Sequence, residues 1–152
     1  CDLAAPLGIS ASVEFVPRRL LAHLPQVLRL FAETARPNVC LCIDPLHVTR
    51  SGAAAADLRK LDRRLVPYVQ LCDGILQPGE PDPGGIGRTA PELRCMPGDG
   101  VLPLREILGA VPAGIPISVE VPFEESVRLT PRDWTKRVAQ KTRGFLAGIG
   151  RG

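Results

Sequence analysis

Aromatic residues make up only 4% of this 152-residue chain: one Trp, one Tyr and four Phe. That leaves little on which nucleic-acid bases could stack. Histidine is scarcer still. His23 and His47 are the only two, too few for a metal cluster built on imidazoles. No Cys-x-x-Cys pair occurs among Cys1, Cys40, Cys42, Cys72 and Cys95. The five read as free thiols, three of them in or beside strand-like segments, in a chain kept in a reducing cytoplasm. No apolar run reaches the roughly 20 residues that a membrane-spanning helix needs, and no signal peptide is visible.

Charge is balanced rather than concentrated. The net charge is +3, and charged residues are 23% of the chain. The basic pairs Arg18-Arg19, Arg59-Lys60 and Arg63-Arg64 fit solvated helix faces better than a nucleic-acid groove. Hydrophobic residues reach 45%, enough for a core, and the length corresponds to one domain over residues 1–152. The sequence begins at Cys1 within a Leu/Ala/Pro-rich stretch, which suggests a piece of a longer protein.

Hydrophobic patterning then alternates between two periods. Residues 10–16 (SASVEFV) read as a strand, and Leu24, Val27, Leu28, Phe31 and Ala35 recur at helical spacing until Pro37. Residues 38–43 (NVCLCI) form a nearly continuous apolar run, the mark of a strand covered on both faces. A polar loop is expected over residues 44–52 and a helix over 53–65, with Leu58, Leu61 and Leu65 on one face. Residues 68–72 (YVQLC) predict a third strand, and 73–100, with five Pro and seven Gly, a long loop. A helix follows with Leu104, Ile107, Leu108 and Val111, then a strand over 116–121 (PISVEV). Thr130-Pro131 starts a last helix, marked by Trp134, Val138, Lys141, Phe145 and Ile149.

The order β-α-β-α-β-α-β-α implies a parallel sheet covered by helices. Four such units are about half of a (β/α)₈ TIM barrel, for which roughly 250 residues is typical. An open flavodoxin-like sheet is the rival architecture, but its Gly-rich phosphate-binding first turn is absent.

Each strand carries, at or near its end, a residue that strand propensity disfavours: Glu14, Asp44, Gln70 and Glu120. In a barrel the carboxyl ends of the strands converge, so the four would meet. Three carboxylates brought together repel one another unless a cation neutralises them. Oxygen donors favour a hard divalent ion, Mg²⁺ or Mn²⁺, with Co²⁺ as a further option. His47, three residues after Asp44, is a candidate general acid/base or substrate ligand. Arg94 enters the turn Pro97-Gly98-Asp99-Gly100 and is expected to face an anionic or polyhydroxy substrate. Asp99 is expected to stabilise that turn, and His23 to lie solvated on a helix face.

Five segments in this order carry a family likeness: Glu14-Phe-Val-Pro17, Ile43-Asp44-x-x-His47, Val69-Gln70-Leu-x-Asp73, Arg94-x-x-Pro-Gly-Asp-Gly100 and Ser118-Val-Glu120-Val. Together they resemble the xylose-isomerase-like TIM-barrel superfamily of sugar phosphate isomerases and epimerases, from its fifth strand to its last helix. The resemblance implies that Glu14, Asp44, Gln70 and Glu120 hold the metal, and that His47 and Arg94 contact substrate. Gln at position 70, where many members have His, is similar to the 3-dehydroshikimate dehydratase-like branch. Endonuclease IV shares the barrel but relies on a His-rich zinc cluster, which two histidines do not supply.

The implied activity is metal-assisted proton abstraction next to a carbonyl through an enediolate, with Glu14 or Glu120 as base, on a small polyhydroxy carbonyl substrate. Loss of a β-hydroxyl, with His47 as acid, would make the same site a dehydratase. A non-catalytic truncated fragment is the reading from another class. Half a barrel leaves two open sheet edges, so the chain alone is expected to be inactive. It would pair with the absent N-terminal half or self-associate.

Overall fold

The alternating pattern builds a parallel sheet. The computed structural model describes residues 1–17, 19–75, 94–121 and 128–151. Most of the expected 73–100 loop and Arg18 of the first basic pair lie outside those residues. Strand β1 (Ala11–Glu14) pairs in parallel with β2 (Val39–Cys42), aligning Ser12 with Cys40 and Glu14 with Cys42. Strand β3 (Val69–Leu71) pairs in parallel with β6 (Ile117–Val119). A parallel bridge between Ile43 and Val69, with the Gln70 N–H donating to the Ile43 carbonyl at 2.9 Å, joins the two ladders. The strand order is therefore β1-β2-β3-β6. Between β3 and β6 a short antiparallel pair, β4 (Asp73–Gly74) and β5 (Arg94–Cys95), stands at the sheet's end.

Side-chain alternation divides the sheet into two chemistries. One parity supplies Phe15, Leu41, Ile43, Val69 and Leu71 to the apolar core. Against them pack Leu24, Val27 and Phe31 of α1 (Leu24–Thr34), and Leu104, Ile107 and Leu108 of α4 (Leu104–Ala110). The other parity carries Ser12, Glu14, Cys40, Cys42, Asp44, Gln70, Ser118 and Glu120. Leu41 is fully buried. Leu41→Ala should cost about 2–5 kcal/mol in a urea titration; a loss under about 1 kcal/mol would mean that this core is not consolidated.

Three segments differ from the sequence reading. The 73–100 segment, expected as a loop, contributes β4 and β5, whose backbones pair Asp73 with Cys95 and Gly74 with Arg94. The 44–52 segment is not a loop: it holds α2 (Pro45–Arg50), a helix capped by Asp44. The Asp44 carboxylate accepts the N–H groups of Leu46 at 2.8 Å and His47 at 3.3 Å, and Pro45 fills the first position, where its missing N–H costs nothing. The helix expected over 53–65 is broken. Only α3 (Ala55–Leu58) is α-helical, and a 3₁₀ turn (Arg63–Leu65) follows. Asp62 restarts the chain by accepting the Arg64 N–H at 2.9 Å, a local bond that competes with helix continuation. The last helix, α5 (Pro131–Gly148), begins as read, with Thr130 accepting the Asp133 N–H at 3.2 Å. It packs on the core through Phe145 and Leu146, and Ile149 follows as its C-cap.

His23 is the residue before α1, and its Nδ1 lies 3.2 Å from the Ser51 carbonyl oxygen. All five cysteines are free, with Cys40, Cys42 and Cys72 buried. Among the described residues no helix is long and apolar enough to cross a membrane.

Candidate metal centre

Every polar residue singled out at a strand end arrives in one place. Glu14 ends β1, Asp44 follows β2 and caps α2, Gln70 sits within β3, and Glu120 follows β6. One turn into α2, His47 turns its imidazole back over Asp44. Ligand atoms of Glu14, Asp44 and His47 lie within 4.8 Å of one another, and His47 Nε2 is 3.8 Å from Glu14 Oε1.

Gln70 spans the two outer carboxylates. Its amide nitrogen donates to Glu120 Oε2 at 2.7 Å and approaches Glu14 Oε1 at 3.5 Å, while its amide oxygen faces the Cys42 thiol at 3.8 Å. Glu120 is the open member of the group, its side chain 52% exposed.

Arg94 enters from β5 and brings a positive charge into the site. Its Nη1 donates to Asp44 Oδ2 at 2.6 Å and to Cys72 Sγ at 2.8 Å. Its Nη2 lies 3.0 Å from Glu120 Oε2 and 3.4 Å from His47 Nε2. The Arg94 side chain is 5% exposed and that of Asp44 is 0% exposed. Removing one partner of such a buried pair leaves an uncompensated charge, which typically costs about 3–5 kcal/mol.

The turn that aims Arg94 is held by a residue that the sequence reading did not assign to it. Asp73 is buried. Its carboxylate takes the N–H groups of Gly74 at 2.8 Å, Gly98 at 3.0 Å and Leu102 at 3.1 Å. Asp99, expected in that role, instead pairs with Lys141 of α5. Cys42 and Cys72 also border the site without having been marked. Their signal was parity, since Cys42 stands two residues from Asp44 and Cys72 two residues from Gln70, on the same face.

Burial sets the protonation states. Desolvation, reinforced by the charges of Asp44 and Glu120, pushes the Glu14 carboxyl up to about 7, although Arg94 pulls the other way. Desolvation pushes His47 down to about 4, and Arg94 and Arg50 add to the effect against Asp44. His47 is therefore neutral at neutral pH. With Arg94 facing Nε2, the ring proton belongs on Nδ1, a buried atom with no hydrogen-bond partner. Burial alone would lower Arg94, but Asp44, Cys72 and Glu120 outweigh it and keep the guanidinium charged. Burial raises both thiols, Cys42 to about 11 and Cys72 further, so both are protonated.

The donor set suits a divalent cation. Two carboxylates and a neutral imidazole converge within ligand distance of one another, a combination that such ions accept. When ionised, Glu14, Asp44 and Glu120 carry three negative charges against one on Arg94. Burial raises the Glu14 carboxyl most, and the neighbouring charges of Asp44 and Glu120 add to it.

A family model described as the xylose isomerase-like TIM barrel matches residues 1–145. The chain belongs to that family. It is similar in fold to the IolI protein solved with a zinc atom, at 24% identity and a TM-score of 0.76 over 97% of this chain and 51% of that one. L-ribulose 3-epimerase matches at 19% identity and TM-score 0.66, covering 97% of this chain and 49% of that one. The probable 3-DHS dehydratase AsbF of Bacillus anthracis, involved in petrobactin synthesis, matches at 25% identity and TM-score 0.61, over 79% of this chain and 46% of that one. No curated protein matches. The chain thus spans about half the length of these solved structures, and the four parallel strands among its described residues are half of the eight in a TIM barrel.

Proposed function

We propose that the chain is the C-terminal, metal-holding half of a divalent-metal-dependent isomerase or epimerase that moves a proton next to a carbonyl of a small polyhydroxy substrate. The observation that carries this reading is the convergence of Glu14, Asp44 and His47, with Gln70, Glu120 and Arg94 around them. Glu14, Asp44 and His47 would hold the ion, Mg²⁺ or Mn²⁺ by the hardness of the oxygen donors, with Glu120 and the Gln70 amide beside them. When bound, the ion supplies an electrophile for the carbonyl and its neighbouring hydroxyl.

The proton work falls to the two glutamates. Glu14, presented from β1, takes or returns a proton on one side. Glu120, presented from β6 and open to solvent, does so on the other. Reprotonation at the neighbouring carbon isomerises the substrate; reprotonation from the opposite face epimerises it. His47 is neutral and would face the ion with Nε2, the ring nitrogen turned to Glu14 and Arg94.

A dehydratase is the second reading, favoured by Gln70 and by the likeness to the probable 3-DHS dehydratase. His47 would not be its acid, because a ring with a pKa near 4 holds no second proton to give. In both readings the remaining strands come from the absent half of the barrel, and β1 and β6, the outer parallel strands among the described residues, would receive them.

The chain should bind Mn²⁺ near one-to-one by calorimetry, and Glu120→Ala and Glu14→Gln should each weaken binding at least tenfold. Absence of binding in all three would remove the enzymatic reading. The chain completed by its missing strands should then turn over a ketose. An absorbing conjugated product from 3-dehydroshikimate, without ketose turnover, would decide for the lyase.

A further inference from the structure

We infer that the Arg94 guanidinium is the resident counter-cation of this centre, and that a divalent ion enters by displacing it. Arg94 would then set how tightly the metal is held. The inference rests on the metal-binding reading above and adds to it a competitor built into the chain.

The argument is one of lone pairs. Asp44 Oδ1 already accepts two backbone N–H groups, from Leu46 and His47. Only Oδ2 remains for a ligand, and Arg94 Nη1 holds it at 2.6 Å. Glu120 Oε2 receives Gln70 Nε2 and Arg94 Nη2 at 2.7 and 3.0 Å, and so is filled as well. His47 has one free ring lone pair, at Nε2, which faces Arg94 Nη2 at 3.4 Å. Of the atoms that could reach a cation, Arg94 thus covers one on Asp44, one on Glu120 and one on His47. Among the described residues, Glu14 is the member with no close guanidinium or ammonium partner.

Charge leads to the same place. A guanidinium this close to the carboxylates repels a divalent ion at the same position, and in a buried site little water screens that repulsion. The two cations satisfy the same carboxylates and exclude each other. A side chain that stood outside the ion's position as a substrate clamp would leave metal affinity unchanged. One that merely oriented Asp44 would, when removed, weaken it.

The test is Mn²⁺ titration calorimetry on the wild-type chain, Arg94→Met and Arg94→Lys, with the thermal midpoint of each measured with and without Mn²⁺. Arg94→Met should bind Mn²⁺ at least tenfold more tightly than wild type. Arg94→Lys should fall between them, since an ammonium keeps the charge but loses the two-pronged reach. The metal-free Met variant should melt lower, with Asp44 left unpaired, and should gain more from Mn²⁺ than wild type does. If the Met variant does not fold without metal, the Lys variant carries the comparison. Equal or weaker binding in the variants, with wild type still binding, would overturn the inference and leave the metal centre intact. No binding by any form would overturn both.

Discussion

Gly100→Ala is expected to cost the chain about 3 kcal/mol and to loosen the turn that aims Arg94. A Cβ at position 100 would lie 2.3 Å from the Gly74 carbonyl oxygen and 2.3 Å from Asp73 Oδ1. The obstacle is close approach, and one of the two atoms is backbone that cannot swing aside. Asp73→Ala should reach a similar or larger loss by the opposite route. It removes the acceptor of the Gly74, Gly98 and Leu102 N–H groups, and each donor left buried and unpaired costs about 1–3 kcal/mol. Both changes undo the same knot, so the double variant should be little less stable than the worse single one. Urea denaturation of the four proteins tests this. A Gly100→Ala loss within about 0.5 kcal/mol, or fully additive losses, would refute the account.

That knot also shows where sequence reading stops. The period-two and period-3.6 patterns come from side chains packing on one core, so the four parallel strands and α1, α4 and α5 were readable within one or two residues at most ends. The two-residue strands β4 and β5, by contrast, are too short to show a period. The cap-and-proline signature that marks α5 at Thr130-Pro131 also stands at Asp44-Pro45. There the polar run through His47, Thr49 and Arg50 resembles a loop, although His47 and Thr49 are buried. The 53–65 break was harder to see, because Asp62 interrupts the helix through a local side-chain bond while the leucine spacing continues. Asp99 and Asp73 have the same chemistry, and only folding decides which faces the turn.

The strand-end group was legible for a different reason. Glu14, Asp44, Gln70 and Glu120 contradict strand propensity, and parallel βα units bring strand ends together by topology alone. What topology does not give is orientation. Gln70 presents its nitrogen to the carboxylates, His47 joins Glu14 and Asp44 as the compact trio, and Arg94 meets Asp44 across fifty positions of chain. These depend on side-chain torsions and on the competition of charges for one another, which periodicity does not encode.

Metal affinity should rise with pH, with a slope of one proton, until the Glu14 carboxyl has ionised. Glu14 is held near 7 in the metal-free chain, so below that pH an ion must expel its proton before the carboxylate can serve as a ligand. The sign follows from mass action: each pH unit below the Glu14 value should weaken binding about tenfold, and above it the dependence should flatten. His47 does not add a second proton. Burial has already lowered it to about 4, so its ring is neutral over the range in which Glu14 titrates. Calorimetry in two buffers of different ionisation enthalpy would count the protons directly, with about one released per ion near pH 6. A slope of two would mean that His47 titrates near its ordinary value and is not buried as found. A slope of zero would mean that Glu14 is ionised throughout, and that Arg94 neutralises the three carboxylates more fully than its contacts with Asp44 and Glu120 imply. Glu14→Gln separates these cases, since it should bind more weakly and lose the pH dependence together.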